Sequence, residues 1–210
     1  MLKASVEDHW DNIYASNFRQ NLGWYEDIPK FSLELLASCH LEKHEKIVDV
    51  GCGESSLIKY LLQKGYENVI GADISHTAIN KSKKLLGLDA SRVKWIVDDL
   101  TNSLQLTELT NIALWHDRAV LHFLLKEADR QAYLDLLNKV LRKDGFVIIA
   151  TFSLKGAKRC SGLDVINYDQ HLLAELLGKN YTLLKHVTYD FTQPSGNLRP
   201  FIYTLFQRTG

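Results

Sequence analysis

From about residue 46 onward, short β-branched apolar runs alternate with stretches of helical periodicity. That alternation restricts the chain to a parallel sheet with crossover helices. Lys46–Val50 reads as the first strand. Leu57, Tyr60, Leu61 and Leu62 then share one helical face, with Gly65 as a stop. Asn68–Ile74 is the second strand, and Ser75 caps a helix whose Ala78, Ile79, Ser82, Leu85 and Leu86 recur at helical spacing. Val93–Val97 and Ile112–His116 are the third and fourth strands. Arg130–Leu141 is a helix, Phe146–Phe152 a strand apolar enough to be buried on both faces, and Asp169–Leu177 a capped helix.

Tyr181–Thr192 and Phe201–Arg208 are strand-like runs joined by a turn-rich, non-helical linker, a connection most simply made between antiparallel neighbours. The expected sheet is therefore parallel over five strands and closes with an antiparallel pair at one edge. Residues 6–26 are aromatic-rich and only weakly periodic, and Lys30–Cys39 reads as a helix with Pro29 in its first turn. The chain, residues 1–210, reads as a single domain: an N-terminal segment, 1–45, ahead of a core at 46–208.

Composition bears on partners. Lys+Arg and Asp+Glu both number 25, so the basic excess expected of a general nucleic-acid binder is missing overall. No apolar run approaches the roughly 20 residues of a membrane span, and the opening residues lack an apolar leader. Cys39, Cys52 and Cys160 are too few and too scattered for a disulfide framework or a zinc pattern. The expectation is a cytoplasmic protein without a metal, a membrane or a nucleic-acid partner.

The sharpest chemical signal is Val48-Asp49-Val50-Gly51-Cys52-Gly53-Glu54-Ser55-Ser56, a strand, a glycine turn and a helix start. Glycines let a ligand approach the backbone, and a helix N-terminus offers free N–H groups. The next strand ends in Asp73, where such folds place an acid on ribose hydroxyls. A dinucleotide fingerprint needs a third glycine, but Ser56 stands there, and Glu54 at the helix start would repel a diphosphate. A nucleoside cofactor without phosphates fits better than NAD.

These residues resemble motif I of the class I S-adenosylmethionine-dependent methyltransferases. Gly71-Ala72-Asp73-Ile74-Ser75 and Val97-Asp98-Asp99-Leu100 resemble their second and third motifs. Within the class, His116-Asp117-Arg118-Ala119-Val120-Leu121 and the Trp10-Asp11…Tyr14 opening with Trp24 resemble thiopurine methyltransferase-like enzymes. A similar opening marks small protein-lysine methyltransferase-like enzymes. The resemblance implies an α/β, Rossmann-like seven-stranded sheet of order 3-2-1-4-5-7-6, its last strand pair antiparallel, with helices on both faces. It implies S-adenosylmethionine as cofactor, held by Gly51, Cys52 and Gly53 at the turn. Asp49 would orient the loop or the methionine ammonium, Asp73 would take both ribose hydroxyls with Ile74 beside it, and Asp99 or Asp98 the adenine amine, with the Leu100 N–H. Trp10, Tyr14, Trp24 and Tyr25 would lie over the sulfonium as a lid, or serve as an aromatic staple.

Methyl transfer by in-line displacement needs an aligned nucleophile, exclusion of water and sometimes removal of one proton. The groups for that work should sit where the fourth strand ends: His116 as a base, Asp117 on an ammonium, Arg118 as a clamp for an anion. The alternative is an Asp117–Arg118 pair that merely closes the strand. His122 reads as a packed helix face, Lys155, Lys158 and Arg159 as solvated loop charges, and Cys160 has no base partner. The acceptor is expected to be a small molecule or a protein side chain; the rival is a cofactor-binding protein without catalysis.

Overall fold

The computed structural model describes residues 5–210; the first four residues of the opening lie outside them. The strands are β1 (Lys46–Val50), β2 (Asn68–Asp73), β3 (Val93–Val97), β4 (Ile112–Arg118), β5 (Leu141–Phe152), the two-residue β6 (Arg159–Cys160) and β7 (Leu163–Asp164), β8 (Tyr181–Thr192) and β9 (Leu198–Arg208). Seven of them form one sheet of order β3-β2-β1-β4-β5-β9-β8, and β6 pairs only with β7. Neighbours from β3 to β5 run parallel, whereas β9 is antiparallel to both β5 and β8. Without the β6–β7 hairpin, the strand order is the one implied by the resemblance. The helices are α1 (Val6–Ser16), α2 (Lys30–Ala37), α3 (Ser56–Gln63), α4 (His76–Leu86), α5 (Glu127–Val140) and α6 (Gln170–Leu177).

Four helices begin where a side chain satisfies free helix N–H groups. Ser55, Ser75 and Asp169 accept from the first turns of α3, α4 and α6. The departures have local causes. α5 starts at Glu127 rather than Arg130 because Lys126 at its cap makes no side-chain bond that would mark the start. β5 begins at Leu141, which pairs with Ile112 before a register shift brings Phe146 opposite Leu114. The charged Arg142-Lys143-Asp144 in that gap hides the strand from an apolar pattern. α1 arises from a weakly periodic segment because it buries only Tyr14; a Ser5–Asp8 capping box starts it.

The strand pleat divides the core in two. Ile47, Leu114, Ile148, Ala150, Phe201 and Tyr203 pack toward α2 and α3, whereas Val48, Val50, Trp115, Val147, Ile149 and Ile202 pack toward α5 and α6. This alternation decides which polar side chains meet at the strand ends. α1 lies on α4: Asp11 Oδ1 accepts from Ser75 Oγ at 2.5 Å and from Thr77 N–H at 2.9 Å. The Lys81 ammonium donates to the Tyr14 and Asn17 carbonyls. Burial would raise the Asp11 carboxyl, but the Ser75 and Thr77 bonds outweigh it and hold it below its ordinary value.

Candidate active site

β1 opens into a left-handed turn, with φ of +59° at Gly51 and +50° at Gly53. A Cβ at Gly51 would lie 2.0 Å from Val120 Cγ2, and one at Gly53 2.3 Å from the Tyr14 hydroxyl. Only glycine meets both the dihedrals and the crowding. Cys52 N–H donates to Ala72 O at 2.9 Å. The Cys52 thiol is buried, and burial together with Asp73 and Asp49 pushes its pKa far up, so it is no nucleophile.

At the end of β2, Asp73 Oδ2 accepts from Gly53 N–H and Oδ1 from Ser75 N–H, both at 2.8 Å. Asp73 is only 6% exposed. Burial pushes its carboxyl up to about 6 against those two bonds. Ile74 beside it is half-buried. At the end of β3 the paired acids differ. Asp98 accepts from Asp99 N, Ser103 Oγ, Leu104 N, Gln105 N and Leu106 N, which fills both its oxygens. Asp99 uses Oδ1 alone, for Thr101 N–H and Oγ1. Leu100 is buried.

Trp10, Tyr14 and Trp24 cluster with ring centroids 5.8–6.4 Å apart, and Phe123 joins at 5.0 Å from Trp10. Tyr25 packs against the same small apolar cluster and lies under the Arg19 guanidinium, 4.9 Å away. α1 thus carries Tyr14 over the glycine turn and Asp73.

The fourth-strand triplet does not act as one group. His116 and Arg118 face α2 and a cleft whose walls include Trp24, Glu26, Ser32, Asp49, Gly51 and Glu54. Asp117 points through the sheet to α5 and is 0% exposed. It accepts from Val120 and Leu121 N–H and from Tyr133 Oη at 2.9 Å. The pleat puts neighbours on opposite faces, which corrects the expectation of a contiguous His116-Asp117-Arg118 site. Arg118 is also not paired with Asp117: its Nε lies 3.2 Å from Glu26 Oε2 and donates to Tyr203 Oη, and Nη1 donates to Trp24 O. Burial raises the Glu26 carboxyl against the pull of Arg118 and His116. Three charged atoms of the cleft residues, Asp49 Oδ2, Glu54 Oε1 and Arg118 Nη2, are buried without a hydrogen-bond partner among the described residues; of these, Glu54 Oε1 lies 3.7 Å from the Lys81 ammonium. Glu26 and Ser32 escaped the sequence reading because neither sits in a motif; only the fold of the N-terminal segment brings them to the strand ends.

His122 is a packed residue, as read. Its Nδ1 lies 3.2 Å from Thr151 Oγ1, between the Phe123 and Phe152 rings. Burial first, then Arg118 and Arg199, lowers its pKa to about 3. The folded state therefore holds His122 neutral, and its contribution to stability is complete above pH 6.5 and lost as pH falls toward 3. A His122→Phe variant should show a shallower loss of stability between pH 6.5 and 4.5 than the parent, by up to about 2–3 kcal/mol in urea titrations. Equal slopes would show that His122 is not held neutral. In the loop after β5, Lys155 and Lys158 are exposed and Arg159 pairs with Asp164 at 3.2 Å. Burial raises the Cys160 thiol.

A family model described as a methyltransferase domain matches residues 41–195. Among curated proteins, the chain is 28% identical to the eEF1A lysine and N-terminal methyltransferase of Bos taurus over 45% of this chain, but it spans only 13% of that protein's length. It is 25% identical to human EEF1A lysine methyltransferase 2 over 70% of this chain and 67% of that one. A SAM-dependent methyltransferase from Anabaena variabilis superposes with a TM-score of 0.78 at 16% identity, covering 98% of this chain and 96% of its own. The Burkholderia thailandensis 1,6-didemethyltoxoflavin-N1-methyltransferase, solved with S-adenosylhomocysteine, gives 0.71 at 18% identity over 100% and 93%. The family match, the sheet order and these superpositions agree: the chain belongs to the methyltransferase-domain family and has the fold of S-adenosylmethionine-dependent methyltransferases.

Proposed function

We propose that this chain transfers the methyl group of S-adenosylmethionine to a small-molecule or protein side-chain acceptor. One observation carries the reading: the partnerless Asp49 Oδ2 and Arg118 Nη2 belong to the walls of the same cleft, beside Gly51. Buried charges without partners are costly, and a complementary ligand group removes that cost. An acceptor oxygen and a donor nitrogen together match the ammonium and carboxylate of an α-amino acid, the end that S-adenosylmethionine presents. The glycine turn leaves room for close approach, Asp73 can accept further bonds from ribose hydroxyls, and the open Oδ2 of Asp99 suits the adenine amine. The cofactor supplies an activated methyl group on a sulfonium. The chain's own residues align it, and the Trp10–Tyr14–Trp24 cluster excludes water and faces a cation favourably. The relatives named as lysine methyltransferases favour a protein acceptor, and the toxoflavin neighbour favours a small molecule.

No described helix is long and apolar enough to cross a membrane, and a cytoplasmic setting suits three unpaired, buried cysteines. In thermal scans, S-adenosylmethionine and S-adenosylhomocysteine should raise Tm while NAD and NADP do not. A ligand at a hundredfold excess over Kd stabilises by about 2.7 kcal/mol, a shift that such scans resolve. Stabilisation by NAD alone would overturn the reading, and binding without transfer of labelled methyl to any of a panel of acceptors would leave a cofactor-binding protein.

A further inference from the structure

Ser32, His116 and Asp49 form a hydrogen-bonded chain from α2 to the end of β1. Ser32 Oγ lies 2.9 Å from His116 Nε2, and His116 Nδ1 lies 2.6 Å from Asp49 Oδ1. The three are 1%, 2% and 3% exposed. His116 stands opposite Asp49 in the parallel β1–β4 register, on the sheet face that α2 covers.

The chemistry of the groups orients this chain. An aspartate carboxylate only accepts, so Nδ1 carries a proton and donates it to Asp49. The serine hydroxyl can then donate to Nε2, which completes the ring's bonding. With both nitrogens engaged inside the protein, neither is open to take a proton from a molecule in the cleft. A carboxylate free to rotate could present either oxygen to solvent or ligand. Here Oδ1 is fixed by His116, while Oδ2 is buried without a partner among the described residues.

We propose that Ser32 and His116 are positioning residues that hold Asp49 with Oδ2 presented to the α-ammonium of the cofactor's amino-acid end, and that His116 is not the base for the methyl acceptor. The inference rests on the cofactor reading above. It replaces the expectation that His116 removes a proton, because a histidine spanned between two side chains is a strut.

The test compares two ligands that differ at that end: S-adenosylhomocysteine carries the ammonium, and 5′-methylthioadenosine lacks the amino-acid group. Affinities for both are measured by calorimetry on the full chain and on three variants. His116→Gln loses the donor at the Nδ1 position and should weaken S-adenosylhomocysteine roughly tenfold to a hundredfold, the range for a hydrogen bond to a charged group, with 5′-methylthioadenosine unchanged. Ser32→Ala should act in the same direction by roughly threefold to tenfold. His116→Asn places an amide N–H near the Nδ1 position and should recover most of the loss. Equal weakening of both ligands, or no weakening, overturns the positioning role. Ser32→Ala removes only one hydroxyl, so it keeps the test decisive if the histidine variants fold poorly. Should the parent chain bind neither ligand, the cofactor reading itself fails, an outcome distinct from failure of the strut alone.

Discussion

Asp73→Ala is expected to cost about 2–4 kcal/mol of folding stability and a similar amount of cofactor affinity. A carboxylate in a wet cleft would affect only the ligand, and the sequence alone allows that simpler outcome. In the structure the side chain is buried under Tyr14 and ties the turn to the α4 start through Gly53 and Ser75. Alanine leaves two N–H groups without their acceptor, so the turn loosens along with the ribose site. Urea unfolding and calorimetry on one preparation measure both effects. Lost stability with unchanged S-adenosylhomocysteine affinity would make Asp73 a brace for the turn and nothing more.

The second large effect separates Asp117 from Arg118. Asp117→Ala should lower stability by about 3–5 kcal/mol, since Val120 N, Leu121 N and Tyr133 Oη lose their acceptor in a closed interior. Cofactor affinity per folded molecule should stay within about twofold, because the Asp117 carboxylate itself lies on the face of β4 away from the cleft. Arg118→Lys keeps a positive charge near Glu26 but loses the planar fork that reaches Tyr203, Trp24 and the cleft together. S-adenosylhomocysteine should bind roughly tenfold more weakly to it. A fall in affinity for Asp117→Ala as large as for Arg118→Lys would mean that the two faces of β4 are coupled.

Much of the architecture is legible in the sequence because its causes are local. Strands β1 to β3 follow from β-branched runs, and the starts of α4 and α6 from capping Ser75 and Asp169. The antiparallel β8–β9 pair follows from a connection too short and too turn-rich for a crossover helix. Where the local signal is weak, the reading stops. α1 buries one side chain and so lacks a stripe, and the β6–β7 hairpin has strands too short to show a period.

The same boundary runs through the site. Sequence alone determined the glycine turn, the acids closing β2 and β3, and the polar residues at the end of β4, because a motif is a short-range pattern of backbone need and charge. Tertiary structure decided what each polar group meets. Asp98 is consumed by its own loop, whereas Asp99 keeps an open oxygen. Asp117 serves α5 on one face of β4 while His116 and Arg118 serve the cleft on the other. The partners of those two, Ser32, Trp24 and Glu26, come from an N-terminal segment that reaches the sheet only by packing. Hydrogen bonds and buried charges depend on positions in space, and residues as far apart in the chain as Ser32 and His116 become neighbours only once the sheet and the helices covering it have formed.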